Sequence, residues 1–221
     1  MHTPVRNPAR QVWAALRALL VLTLVCGVLY PLAVTGAAQT LMPHRADGSR
    51  ITDGGRVVGS ALIGQRYDLP ATQDGESAQP DLRWFQPRPS AGLGTNSRNT
   101  RYSLLVSGAS NLAGDSPELI DRVTAARAAV VRDNSVPGHP VDPAQVPADA
   151  VTSSGSGLDP HISPAYAQLQ VRRVAARNHL DADRVAALVE RHTEGRLLGF
   201  IGEPRVNVLR LNVALRRLAT G

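Results

Sequence analysis

Residues 18–38, ALLVLTLVCGVLYPLAVTGAA, run for 21 positions without a charge. As an α-helix the stretch is about 31 Å long at 1.5 Å per residue, matching the hydrocarbon core of a bilayer. Thr23, Gly27, Pro31 and Thr35 are tolerable in a spanning helix, because neighbouring carbonyls and hydroxyls re-satisfy the freed backbone groups. Tyr30 and Pro31 are where a kink is expected. Arg17 stands at the edge, where its long side chain reaches the headgroups. A buried core helix of this length and uniformity is disfavoured. A cleaved signal peptide is the serious alternative, since Thr35-Gly36-Ala37-Ala38 offers small residues at a cleavage position. The run is long for a signal peptide, which favours an uncleaved anchor.

Charge then sets the expected orientation. Residues 1–17 carry Arg6, Arg10 and Arg17 and no acid, while the other flank carries Arg45, Arg50 and Arg56. A short leader stays inside more readily than a long folded domain held back by three arginines. The division is a cytoplasmic leader over 1–17, a transmembrane helix over 18–38 and an extracytoplasmic domain over 43–221. The predicted location is a membrane crossed once, with the lipid bilayer as one partner.

Composition excludes several chemistries. All 24 basic residues are arginine, so the P-loop, Schiff-base catalysis and serine–lysine dyads are out of reach. Cys26 is the single cysteine and lies in the apolar run, leaving neither a disulfide framework nor a thiolate zinc site. The histidines at 2, 44, 139, 161, 179 and 192 include no pair three or four apart, so no local metal motif is read. The net charge of +6 is spread over scattered arginines with eight aromatics, which argues against nucleic acid.

The soluble part reads as α+β. Residues 56–65, RVVGSALIGQ, read as a strand, and 70–81 as a polar Pro/Gly loop leading to the hydrophobic anchor Trp84–Phe85. Ser116-Pro117-Glu118 reads as a capped helix start, with Leu119, Val123, Ala126 and Val130 at helical spacing to about Arg132. Four prolines over 136–149 call for an extended, irregular stretch. A helix from Ser163-Pro164 should bury Ala167, Val171, Val174 and Ala175, with Arg172 and Arg173 on the opposite face. A helix capped by Asp181 places Val185, Leu188, Val189 and His192 on one stripe. A last helix follows Asn207 as cap, with Val208, Leu211, Leu215 and Leu218 inward. Residues 196–202, RLLGFIG, read as a further strand.

Residues 153–164, SSGSGLDPHISP, admit two readings. In the first, Ser154 or Ser156 is a nucleophile, His161 its base and Asp159 the orienting carboxylate of a membrane-anchored envelope serine hydrolase. There is no G-x-S-x-G elbow, however, and Pro160 separates Asp159 from His161. In the second, Gly155 and Gly157 allow a tight backbone, and Asp159-Pro160 and Ser163-Pro164 each begin a helical turn. Such a rigid polar loop also suits a recognition surface.

The motifs TSSGSGLDPHISP (152–164), YPLAVTGAAQTLMPHRADGS (30–49), VVGSALIGQ (57–65), RPSA (88–91), SGASNL (107–112) and LGFIGEPRVNVLRLNVAL (198–215) together resemble the KdpC family. These are the C subunits of Kdp potassium-transporting P-type ATPases. The resemblance spans essentially the whole chain, with AGDSPEL after SNL and WFQP before RPSA as loop departures. It implies a non-catalytic accessory subunit beside a potassium-conducting subunit, an ATP-hydrolysing subunit and a small membrane peptide. It also implies a catalytic chaperone that raises the ATP affinity of the hydrolysing subunit. No nucleotide motif is recognisable, so ATP is expected only together with that subunit. The assembly or signature-loop candidates are Ser154, Gly155, Ser156, Gly157, Asp159, His161 and Asn207.

Overall fold

The computed structural model describes residues 8–70, 79–90 and 107–220. Arg6, residues 71–78 of the expected polar loop, and Ala91 of the RPSA motif lie outside the described residues. The chain divides into two compact units, Met1–Ser49 and Arg50–Gly221.

The first unit is helical. Helix α1 (Pro8–Leu24) passes through a π segment (Val25–Leu29) into helix α2 (Tyr30–Leu41). The irregularity expected at Tyr30-Pro31 thus takes the form of a widened turn just before the proline. Pro31 has no N–H to donate, and its ring crowds the carbonyl four residues back. The continuous stretch Pro8–Leu41 has 34 residues, extends past the expected 18–38 at both ends, and meets the length and composition of a membrane span. None of its side chains is buried within the chain; Leu19, Leu20, Leu22 and Leu32 stand about 60% exposed. In water that surface is costly, and in hydrocarbon it is the favoured solvent contact. Met42 leaves the helical region, and Pro43 opens the short helix α3 (Pro43–Ala46).

The second unit is an α+β fold. Strands β1 (Arg50–Asp53) and β2 (Arg56–Ser60) form an antiparallel hairpin, with Asp53 opposite Arg56. Gly54 and Gly55 both take positive φ, which a two-residue hairpin turn requires. Strand β2 stops at Ser60 and does not continue to residue 65. The Ser60 hydroxyl accepts from Leu62 N at 3.1 Å, and its carbonyl from Ile63 N, so a turn replaces the ladder.

Helix α4 (Pro117–Asn134) follows, with Leu119, Val123 and Ala126 half-buried and Val130 buried. Ser116 stands at its N-cap in extended conformation, but its side chain makes no capping hydrogen bond; Pro117 alone marks the start. Residues 136–149 are irregular as expected, broken by 3-10 turns at Pro143–Gln145 and Ala148–Ala150.

Three antiparallel strands form the second sheet. Strand β5 (Arg205–Asn207) is central, flanked by β3 (His161–Ile162) and β4 (Thr193–Glu194). Helix α5 (Pro164–Asn178) is capped by Ser163, whose hydroxyl accepts from Tyr166 N, and α6 (Ala182–Arg191) by Asp181, which accepts from Arg184 N. Helix α7 (Val208–Thr220) starts from β5. Phe85, Ala167, Val174, Val185, Val189, Val206, Leu211 and Leu215 are wholly buried and make the core.

Two further expectations are corrected. Arg173 is not on the exposed face of α5: it is 2% exposed, while Arg172 faces solvent. Positions 166, 170 and 173 share a helix face, and buried carbonyls await the guanidinium there. Residues 196–202 are not a strand. Leu198 and Gly199 take positive φ, and the chain reverses into a tight turn with Leu197 bridged to Ile201.

Candidate functional site: a self-braced loop and a gripped segment

Ser154 is the hub of the 152–164 loop. Its buried hydroxyl accepts from Ser156 N at 3.2 Å and Gly157 N at 3.1 Å, and shares a hydrogen bond with Ser156 Oγ at 3.0 Å. Ser156 Oγ accepts in turn from Leu158 N at 3.1 Å. Gly157 closes the turn at φ 69°, a left-handed conformation that a Cβ would strain. Short polar side chains two and three residues ahead of free N–H groups form just such local rings.

Asp159 fixes the other half. Its Oδ1 accepts from His161 N at 2.9 Å, with His161 Nδ1 at 3.4 Å, and its Oδ2 accepts from Arg88 Nη1 at 3.2 Å. The Asp159 carboxyl is held below the usual range, first by the His161 side chain and then, against the cost of burial, by the His161 backbone and Arg88. Asp159-Pro160 leads into β3 and not into a helical turn, because His161 pairs with Asn207 in the sheet. Ser163-Pro164 does open a helix, and Asp149 accepts from both Ser163 N and Ser163 Oγ.

The loop is tied to four other stretches. Leu158 O accepts from Gly64 N at 2.8 Å, Pro89 O accepts from Ser154 N at 3.3 Å, and Ser156 O accepts from Gly108 N at 2.8 Å. Arg88 also donates to the carbonyls of Thr152 and Ser153. Strand β5 is the fourth tie: Asn207 pairs with His161, and Pro160 O accepts from Val208 N at 3.0 Å. Asn207 Nδ2 in turn donates to Ala61 O at 2.9 Å while its Oδ1 caps α7 by accepting from Arg210 N. The structure therefore brings Ser154, Gly155, Ser156, Gly157, Asp159, His161 and Asn207 into one continuous neighbourhood. It does not assemble a triad. Among the described residues neither serine hydroxyl bonds His161, and both are engaged by backbone N–H groups. A nucleophile needs its base within hydrogen-bond reach.

A second polar construction lies at residues 82–86, and the sequence reading missed it. Five successive carbonyls there each accept from a helix side chain. Arg173 reaches Leu82 O and Trp84 O, Asn178 reaches Arg83 O, Asn212 reaches Phe85 O and Gln170 reaches Gln86 O. Asn212 Oδ1 and Gln170 Oε1 accept in return from Phe85 N at 2.9 Å and Gln86 N at 2.7 Å. The two amides thus substitute for neighbouring β-strands, satisfying donor and acceptor of one residue each.

Arg173 completes this set with Nε to Asn134 Oδ1 and Nη2 to Gln170 Oε1. All its described partners are neutral oxygens, and burial lowers its pKa to about 10, so it stays protonated. Burial also pushes the Tyr166 phenol up to about 12. Beside both lies a hollow of about 400 Å³, lined by Arg66, Asp68, Arg88, Ser90 and Gln170. Burial raises the Asp68 carboxyl there against the pull of Arg66. A signal for this construction did exist: Gln170 and Asn212 sit in line with Ala167, Val174, Leu211 and Leu215, polar residues at core positions.

Among the described residues no group of three histidines, cysteines or acids comes together to hold a metal. The family model described as "K+-transporting ATPase, c chain" (KdpC) matches residues 12–217. Proteins named potassium-transporting ATPase KdpC subunit align along almost the full length. That of Streptomyces coelicolor is 65% identical, over 99% of this chain and 97% of its own. That of Streptomyces avermitilis is 62% identical over 99% and 98%. That of Kineococcus radiotolerans is 47% identical over 99% and 100%.

Proposed function

The chain belongs to the KdpC family, the c chain of potassium-transporting ATPases, and from that membership we propose a non-catalytic subunit that stabilises the assembled pump and raises the ATP affinity of its hydrolysing subunit. The full-length likeness carries this reading, since the match runs from the apolar helix through α7. Its partners are a potassium-conducting subunit, the ATP-hydrolysing subunit and a small membrane peptide.

The proposed mechanism is linkage. A subunit that binds better to the ATP-ready conformation of its partners raises their ATP affinity, by the same factor that ATP raises its own affinity. It need not touch the nucleotide; any ATP contact would be shared with the hydrolysing subunit. The braced loop and the gripped segment serve by presenting fixed surfaces, because an ordered surface loses less entropy on docking.

The Pro8–Leu41 helix is the proposed single membrane pass, with the N-terminus cytoplasmic and the second unit outside the inner membrane. The charge pattern around residues 18–38 supports that orientation. A cytoplasmic reporter fused to Gly221 is expected to be inactive, and an active one reverses it. For the function itself, the pump is purified with and without this chain. The expected result is loss of intact complex, or a raised ATP KM in whatever remains. An intact complex with unchanged potassium-stimulated ATP hydrolysis contradicts the proposal.

A further inference from the structure

The connection between β4 and β5 presents Leu197, Leu198, Phe200 and Ile201 at 68%, 77%, 74% and 48% exposure. They are four of the nine large exposed apolar residues in the described part of the second unit, within five successive positions. Isolated exposed apolar residues need no explanation, but a contiguous group does.

The turn is also preshaped. Leu197 and Ile201 exchange two backbone hydrogen bonds, each of 2.9 Å, and Phe200 N and Gly199 N donate to Leu197 O and Arg196 O. Leu198 takes φ 54°, a left-handed conformation in which a leucine Cβ crowds the backbone. No packing within the described chain covers the side chain that this backbone projects. The base is braced by Arg196 to Glu203 at 3.1 Å, while Glu194 holds Arg205 at 3.1 Å and Arg210 at 3.6 Å. Through β5 the turn shares a sheet with His161 and so with the 152–164 loop.

We propose that the 196–202 turn is a docking knob that seats in an apolar socket on a neighbouring protein subunit of the pump. An apolar centre ringed by paired polar groups is the anatomy of a protein interface, in which a few anchors carry the affinity and the rim excludes water. The charge pattern separates this occupant from a lipid surface. Anionic headgroups recruit unpaired basic residues, whereas each of these three arginines is already engaged by a carboxylate. Lipid also imposes no shape, while the turn holds one against backbone strain. The socket is accordingly apolar, one or two side chains deep, with a charge-balanced rim. This inference rests on the chain being a pump subunit.

The test compares Leu198→Ser, Phe200→Ser and the double variant, as full chains co-expressed with the rest of the pump. These side chains are exposed, so the free chain should melt as wild type does; that is measured alongside. The double variant should be recovered with the pump at least tenfold less, and Phe200→Leu should restore recovery. Wild-type recovery of the double variant overturns the knob. If removing the whole chain still dissolves the complex, the subunit reading survives that result. A second measurement labels Ile201→Cys in a Cys26→Ser background with a polar maleimide. Reaction should be fast for the chain alone in nanodiscs and at least tenfold slower in the pump. Slow reaction for the chain alone, whether from bilayer burial or self-association, overturns the proposal, as does fast reaction in the pump.

Discussion

In the 152–164 loop, serine and aspartate side chains bind backbone two and three residues away; over 82–86, the backbone is held by Gln170, Arg173, Asn178 and Asn212 from separations of 84 to 127 residues. The first region is locally determined and needs the rest of the fold only for its outer ties. The second has only the turn from Asp81 to Trp84 as local structure, and its carbonyls find their side-chain donors only once α5 and α7 are packed. Local rings form at little entropic cost, whereas distant clamps close long loops and form late. The two should therefore fail differently.

The largest effect is expected at Arg173. Arg173→Met leaves the carbonyls of Leu82 and Trp84 and the side-chain oxygen of Asn134 without this donor in a buried site. Stability should fall by about 3–5 kcal/mol, read by urea unfolding of the full chain in mild detergent. A loss below about 1 kcal/mol would mean that the grip is incidental. Asn212→Leu removes both hydrogen bonds to Phe85 and should cost about 2–3 kcal/mol. Combined with Gln170→Leu, its effect should be non-additive, since the two amides hold adjacent residues of one strand-like segment. Strict additivity would separate them.

Ser154→Ala should cost about 1–2 kcal/mol, because it strips the buried acceptor from Ser156 N and Gly157 N. Hydrogen exchange should show the loss confined to residues 153–158, leaving 82–86 protected. Spread of the change to 82–86 would merge the two regions into one cooperative piece.

The smallest effect is expected with acid. The Asp159 carboxyl lies below its ordinary 3.8 in the folded chain. Its contribution is thus complete above that ordinary value and lost as pH falls through the lowered one. Exchange protection of 159–163 should hold from about pH 7 to pH 5 and decline below about pH 4. Asp159→Asn should flatten that decline, and an unchanged decline would assign it to other groups.

How much of this was readable follows from the same contrast. The apolar run, the caps by Ser163, Asp181 and Asn207 and the inward stripes of α5–α7 are local patterns, and they appear where expected. The fold class follows from them. Arg173 was misplaced because an arginine in an amphipathic helix ordinarily faces water, and its acceptors lie about 90 residues away. Residues 196–202 read as a strand because Leu, Phe and Ile favour one. Their period says nothing of the left-handed turn at Leu198-Gly199 that leaves them uncovered. In the loop, composition alone did not reveal that Ser154 and Ser156 are occupied by backbone N–H groups.

One measurement bears most directly on the proposed role. Pump particles lacking this chain are titrated with the purified full chain while the ATP KM of potassium-stimulated hydrolysis is followed. The KM should fall saturably as the chain binds, and equally far with a Ser156→Ala chain, since no nucleophile is involved. A KM unchanged at saturating, co-eluting chain would contradict the account.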